Sequence, residues 1–304
     1  MEISAVLSIS LRRFWEEKVF WLLGTLAAVT SALSLPINQI FSPENLPILL
    51  PELASNLDEL ITSLLSLVVL LGINLLSIPL YLFGVLGIVA GVWKREQGVT
   101  ARFSFGELLQ TGLPFFWRVL GVRLTFVVGL IAVLIPTILV ISMASIFTFG
   151  IVLLCLFPLI ILFVPASYIL YGLMELAETA VVIENLSIFE AITTAWRLFK
   201  ANFWKMLVIA LVIYLGAGII AAVLVVPFNL PAYLPMFSDL LNNEIDKRSI
   251  LLVSIAALCL LSPLYAFFQG ALVALQRIIW AQTYLAINRP ANPSAALVEI
   301  YDVG

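Results

Sequence analysis

The chain has 304 residues, 63% of them hydrophobic and 11% charged, with a net charge of −3 and a mean hydropathy of +1.16. Soluble proteins carry about a quarter of their residues charged, so this composition excludes a water-soluble globule and places the chain in a bilayer. The absence of histidine removes the usual general base and the commonest metal ligand, and the lack of any basic run argues against nucleic acid as a partner.

A spanning helix needs roughly 20 apolar residues, because each residue rises about 1.5 Å and the hydrocarbon is about 30 Å thick. Six stretches reach that length, at about residues 19–38, 61–93, 119–142, 150–174, 205–228 and 249–276. They are continuous apolar runs, not the alternating segments of about ten residues that build outer-membrane barrels. The expected fold is therefore all-α, with six transmembrane helices.

Residues 3–18 form a helix-compatible segment ahead of Phe20-Trp21 and the first run. A cleaved signal peptide is the alternative reading there, hinted at by Arg12-Arg13. It is disfavoured by Glu16 and Glu17 in what should be a basic region and by the length of the apolar run. After the second run, Ser104-x-x-Glu107 is a capping box, in which the Ser hydroxyl takes the amide three residues on and the Glu reaches back to the cap amide. Leu108 and Leu109 begin an apolar face, and Phe116-Trp117-Arg118 leads into the third run.

The clearest copy of this grammar lies in SIFEAITTAWRLFKANFWKML, residues 187–207. Ser187-x-x-Glu190 is a second capping box. Ile188, Ile192, Ala195, Trp196, Phe199 and Phe203 recur every three to four positions, while Arg197 and Lys200 occupy the polar side. Cations on the polar face and aromatics at the apolar edge describe a helix lying in the headgroup plane, and Phe203-Trp204-Lys205 marks where the chain turns into the membrane. The expected lipid-interface residues are thus Trp117, Arg118, Arg123, Trp196, Arg197, Lys200, Trp204 and Lys205, with Arg123 and, after the sixth run, Arg277 extending toward lipid phosphate. Together these segments divide a single domain into three parallel units, about residues 1–93, 103–175 and 186–287, each an interfacial amphipathic helix followed by a transmembrane hairpin.

Lysine and arginine set orientation, since short cytoplasmic loops hold an excess of them. With both termini cytoplasmic, all of the 15 basic residues except Lys247 and Arg248 fall on the inner side. The outer loops carry Glu44, Glu52, Asp58 and Glu59, then Asp239, Glu244 and Asp246. That acidic face either binds cations or is simply a pair of solvated loops, and its carboxylates show no metal-ligand spacing.

The segment VVIENLSIFEAITTAWRLFKANFWKML, with AGVWKREQGVTARFSFGELL and IIWAQTYLAINRP, resembles a broad group of bacterial six-helix membrane proteins. That group includes the membrane domain accompanying some glycerophosphodiester phosphodiesterases. The resemblance covers nearly the whole chain and implies a bacterial inner-membrane location. It carries over no catalytic residues, because in the fused relatives the hydrolase chemistry belongs to a separate soluble domain.

Few residues inside the spans are suited to chemistry. Cys155 and Cys259 read as apolar-like thiols within helices. Glu175 and Glu178 lie three apart on one helical face, where they either bind a cation or pair with Arg197 or Lys200. Asn74 and Gln269 sit closest to mid-membrane and must face protein or trapped water; a mutual hydrogen bond between helices is one arrangement, a permeation site another. Pro79, Pro136, Pro158, Pro165 and Pro263 are expected to bend or open four of the six helices. The sequence therefore points to a cofactor-free, non-catalytic scaffold or accessory subunit that engages lipids and other membrane proteins. The alternative is a transporter or channel component for a small or lipidic solute.

Overall fold

The computed structural model describes residues 3–42, 44–51, 59–148, 151–235 and 246–288. Among these residues every regular element is helical: α1 (Ile3–Glu16), α2 (Lys18–Phe41), α3 (Leu46–Leu49), α4 (Glu59–Glu96), α5 (Phe105–Gly112), α6 (Phe116–Phe147), α7 (Ile151–Glu184), α8 (Ile188–Ala201), α9 (Phe203–Asn229) and α10 (Lys247–Asn288). Short 3-10 turns at Leu113–Phe115 and Leu230–Tyr233 carry α5 into α6 and end α9. Six helices, namely α2, α4, α6, α7, α9 and α10, are long and apolar enough to cross a bilayer, and they make the chain a multi-pass membrane protein.

The long helices overrun the expected spans. α4 has 38 residues and α10 has 42, lengths of about 57 and 63 Å at a rise of 1.5 Å per residue. Pro79, Pro136 and Pro263 lie inside helices that continue through them, as does Pro165 in α7. The side chains of Cys155 and Pro158, and the acids Glu52, Asp58, Asp239 and Glu244, lie outside the described residues.

α10 is the spine of the bundle, packing on α1, α2, α4, α7 and α9. Its closest partner is α2, and the reason is a pair of glycines. A Cβ added to Gly24 would run into the backbone of Gly270, and one added to Gly270 would run into the backbone at Gly24 and Thr25. Small residues let helix backbones approach where no apolar solvent difference drives them together. α4 lies against α2 in the same manner: Gly91 meets Phe20, Gly87 meets Leu23, and Gly84 meets Leu23 and Ala27.

The packed core gathers toward the end of the bundle where α2 begins and α4 ends. Phe14, Phe20, Leu23, Ile88, Val92, Leu108 and Ile278 form one cluster, and Leu86, Val122, Leu176, Phe199, Met206, Trp280 and Tyr284 belong to a second, larger one. Ion pairs fasten the same end: Arg13 to Glu96, Arg95 to Glu17, and Lys94 to Glu107 at 2.7 Å. Trp21 Nε1 donates to the carbonyl of Phe14 at 2.7 Å, closing the elbow between α1 and α2.

The capping box expected at Ser187 forms, with the amide of Ser187 donating to the Glu190 carboxylate at 3.0 Å. At Ser104 only half of it forms: the amide of Glu107 donates to Ser104 Oγ at 3.1 Å, while the Glu107 carboxylate turns to Lys94 instead of the cap amide. α8 does not run unbroken into α9: Asn202, at φ −128° and ψ 30°, interrupts the helix for one residue. Ala191, Ala195 and Phe199 form its buried face, while Phe189 and Trp196 stay exposed.

Candidate functional site

Four charged side chains meet inside the bundle. α7 presents Glu175 and Glu178 on one face, α10 brings Arg277 and α6 brings Arg123. Arg277 Nη1 donates to Glu178 Oε2 at 2.7 Å and pairs with Glu175, while Arg123 Nε donates to Glu178 Oε1 at 3.0 Å. Arg277 Nη2 donates to the hydroxyl of Tyr81 in α4 at 2.7 Å. The guanidinium of Arg123 stacks 4.5 Å from the centre of the Tyr81 ring. The side chains of Arg277 and Glu178 are 2% and 1% exposed. A lone charge buried to that degree costs several kcal/mol, so the two arginines and two glutamates must be treated as one neutral unit.

This cluster corrects the expected roles of its members. Glu175 and Glu178 pair with Arg277 and Arg123, not with Arg197 or Lys200, and Arg277 is buried within the bundle. The physical cause is helix length. α7 continues to Glu184 and α10 to Asn288, so these charges stand within packed helices whose lateral neighbours are other helices, not at helix ends facing headgroups. Beyond them, Glu184 accepts from Tyr284 and Asn288, tying the two ends of α7 and α10 together.

The remaining interfacial residues lie at the surface. Trp117, Trp196 and Trp204 are exposed, as are Arg197 and Lys205. Lys200 sits 5.0 Å above the ring of Trp196. Arg118 donates to the side-chain oxygen of Asn185 at 2.6 Å and to its carbonyl at 3.1 Å. Asn185 follows the last residue of α7 at φ 55°, a left-handed conformation that asparagine tolerates and that ends the helix.

Asn74 and Gln269 do come together, but not by bonding each other. Asn74 Nδ2 donates to the carbonyl of Leu70, one turn back in its own helix, at 2.7 Å. Both residues line a cavity of about 360 Å³ bounded by α2, α4, α6 and α10, together with Thr30, Ser31, Ser34, Ser77, Tyr81 and Arg123. Ser31, Ser34 and Ser77 each donate to a backbone carbonyl three residues earlier, so their oxygens retain acceptor capacity toward the cavity. Tyr81, whose oxygen already accepts from Arg277, keeps its own proton to donate. The walls thus offer neutral donors and acceptors around one formal charge, that of Arg123. No carboxylate is among the described lining residues.

Tyr81 and the hydroxyls of α2 were not singled out from sequence. Tyr81 stands in an apolar run, and serine or threonine in a membrane helix ordinarily bonds its own backbone, so only the convergence of four helices marks them. Comparison of the chain with family models, with curated proteins and with solved structures gives no match.

Proposed function

We propose that the chain is a non-catalytic bacterial inner-membrane protein that receives a small or lipidic solute within the bilayer, as a carrier or channel component. The observation that carries this reading is the cavity holding Asn74, Gln269 and Arg123 at a depth where polar groups are costly unless they meet protein, water or ligand. Its volume falls within the range of about 300–1,000 Å³ common to small-molecule sites. A reaction is disfavoured because the chain has no histidine and the buried carboxylates Glu175 and Glu178 are held by arginines.

The proposal includes three parallel units on one architecture. Its support is the element order, in which a short helix precedes two long ones three times, with the four-residue α3 between the long pair of the first unit, and the two capping serines that begin α5 and α8. It also includes cytoplasmic termini, supported by the distribution of lysine and arginine, and kinship with the bacterial six-helix membrane group. A scaffold or accessory-subunit role is the second reading. It is favoured by the exposed Trp117, Phe189, Trp196 and Trp204 on α6, α8 and α9, which suit lipids or a neighbouring membrane protein.

Cysteine accessibility separates the two. With Cys155 and Cys259 replaced by serine, Ser77→Cys is expected to react with a small membrane-impermeant thiosulfonate, whereas Gly129→Cys on the open face of α6 is not. A Ser77→Cys variant as inert as Gly129→Cys would remove the solute reading.

A further inference from the structure

We propose that the ligand of this site is an anionic amphiphile with one acyl chain, its phosphate or carboxylate held by Arg123; this rests on the solute-binding reading. Arg123 lines two separate spaces. One is the polar cavity beside Tyr81; the other is an apolar cleft of about 530 Å³ between α6 and α7, walled by Phe126, Leu130, Leu134, Phe163, Leu170 and Met174. Along α6 the cleft extends from Arg123 to Leu134, roughly 16 Å at the helical rise. It is a slot suited to a hydrocarbon chain, with a cation at one end and neutral hydrogen-bonding groups beyond that cation.

The charge pattern selects an anion. Among the described lining residues of both spaces none is a carboxylate and Arg123 is the one charged group; its partner Glu178 lies outside both linings. Its hydrogen-bonding capacity is also incompletely used. Nε donates to Glu178 and Nη2 lies 2.9 Å from the same carboxylate oxygen, so among the described residues Nη1 is the guanidinium nitrogen left without an acceptor. A guanidinium carries five N–H donors and binds phosphate or carboxylate oxygens in pairs. Arg277 lies 2.7 Å from Glu178 but also pairs with Glu175, so the incoming anion takes the Nη1 donors of Arg123 while Nε and Nη2 keep their hold on Glu178.

The test is binding of 1-palmitoyl lysophosphatidate to the purified full chain in detergent, read by native mass spectrometry. Three arms accompany it: neutral 1-palmitoylglycerol, inorganic phosphate as competitor, and the variants Arg123→Gln and Leu130→Trp. Lysophosphatidate is expected to bind about tenfold tighter than the neutral lipid, with Arg123→Gln erasing that preference. Leu130→Trp, which fills the cleft and leaves every ion pair intact, is expected to weaken lysophosphatidate about tenfold. Inorganic phosphate is expected not to displace it. Equal binding of charged and neutral lipids overturns the anion assignment. Displacement by phosphate, or indifference to Leu130→Trp, overturns the acyl slot. Absence of lipid binding with a reactive Ser77→Cys overturns the inference and leaves the solute reading standing; absence of both overturns the two together.

Discussion

Glu190 carries a structural role on a fully exposed carboxylate. Hydrogen bonds from the Ser187 hydroxyl and the Ser187 backbone N–H hold its carboxyl below the ordinary glutamate value. A carboxylate depressed on folding stabilises the cap at every pH above the unfolded value, and that contribution is lost as pH falls through the folded one. Amide exchange at Ser187, corrected for its intrinsic rate, is therefore expected to accelerate as the solution is acidified through that window; in Glu190→Gln it should show no such step. This cap was legible from Ser187-x-x-Glu190 because its partners are three residues apart. Arg277 was not legible, because its partners Glu178 and Tyr81 lie 99 and 196 positions away. A single guanidinium near a predicted helix end offers no local sign of whether it will face headgroups or carboxylates.

Among the elements, α2 and α10 show what fixes depth and register. Their contact at Gly24 and Gly270 leaves no room for a Cβ on either side. Gly24→Ala is expected to force the helices apart and to cost at least about 1–3 kcal/mol, the usual penalty of overpacking. Gly129→Ala, whose added Cβ would meet nothing within 4 Å, is expected to be neutral or to gain up to about 1 kcal/mol from helix propensity. Thermal melts of the two variants in one detergent check the contrast, and equal melting points would show that the Gly24 contact does not exist. The six spans themselves were readable, since long apolar runs leave few other structures in a bilayer. Their ends were not. Glu175 and Arg277 look like terminators in a hydropathy profile, yet α7 and α10 carry on for 9 and 11 further residues, to Glu184 and Asn288.

For the whole molecule, the opposing charges inside the bundle and the polar cavity beside them form one design. Arg123, Arg277, Glu175 and Glu178 draw α6, α7 and α10 together, and Tyr81 joins α4 to the same cluster. Arg123 is the member of the neutral unit that lines the cavity, and it leaves its Nη1 donors for an anion. Sequence reasoning found Asn74 and Gln269, because amides stand out in hydrocarbon, and missed the hydroxyl wall of Thr30, Ser31, Ser34 and Ser77, because hydroxyls do not. The part that composition cannot encode is which faces of four helices meet.

Glu178 and Arg277 are direct, buried partners. A double-mutant cycle between Glu178→Gln and Arg277→Gln, read from unfolding of the protein in a fixed detergent, tests that pairing. Each single variant is expected to lose about 3–5 kcal/mol by stranding a buried charge. The double variant should lose less than their sum, with a coupling of roughly 1–3 kcal/mol. Losses that add to within about 0.5 kcal/mol would show that the two side chains do not meet.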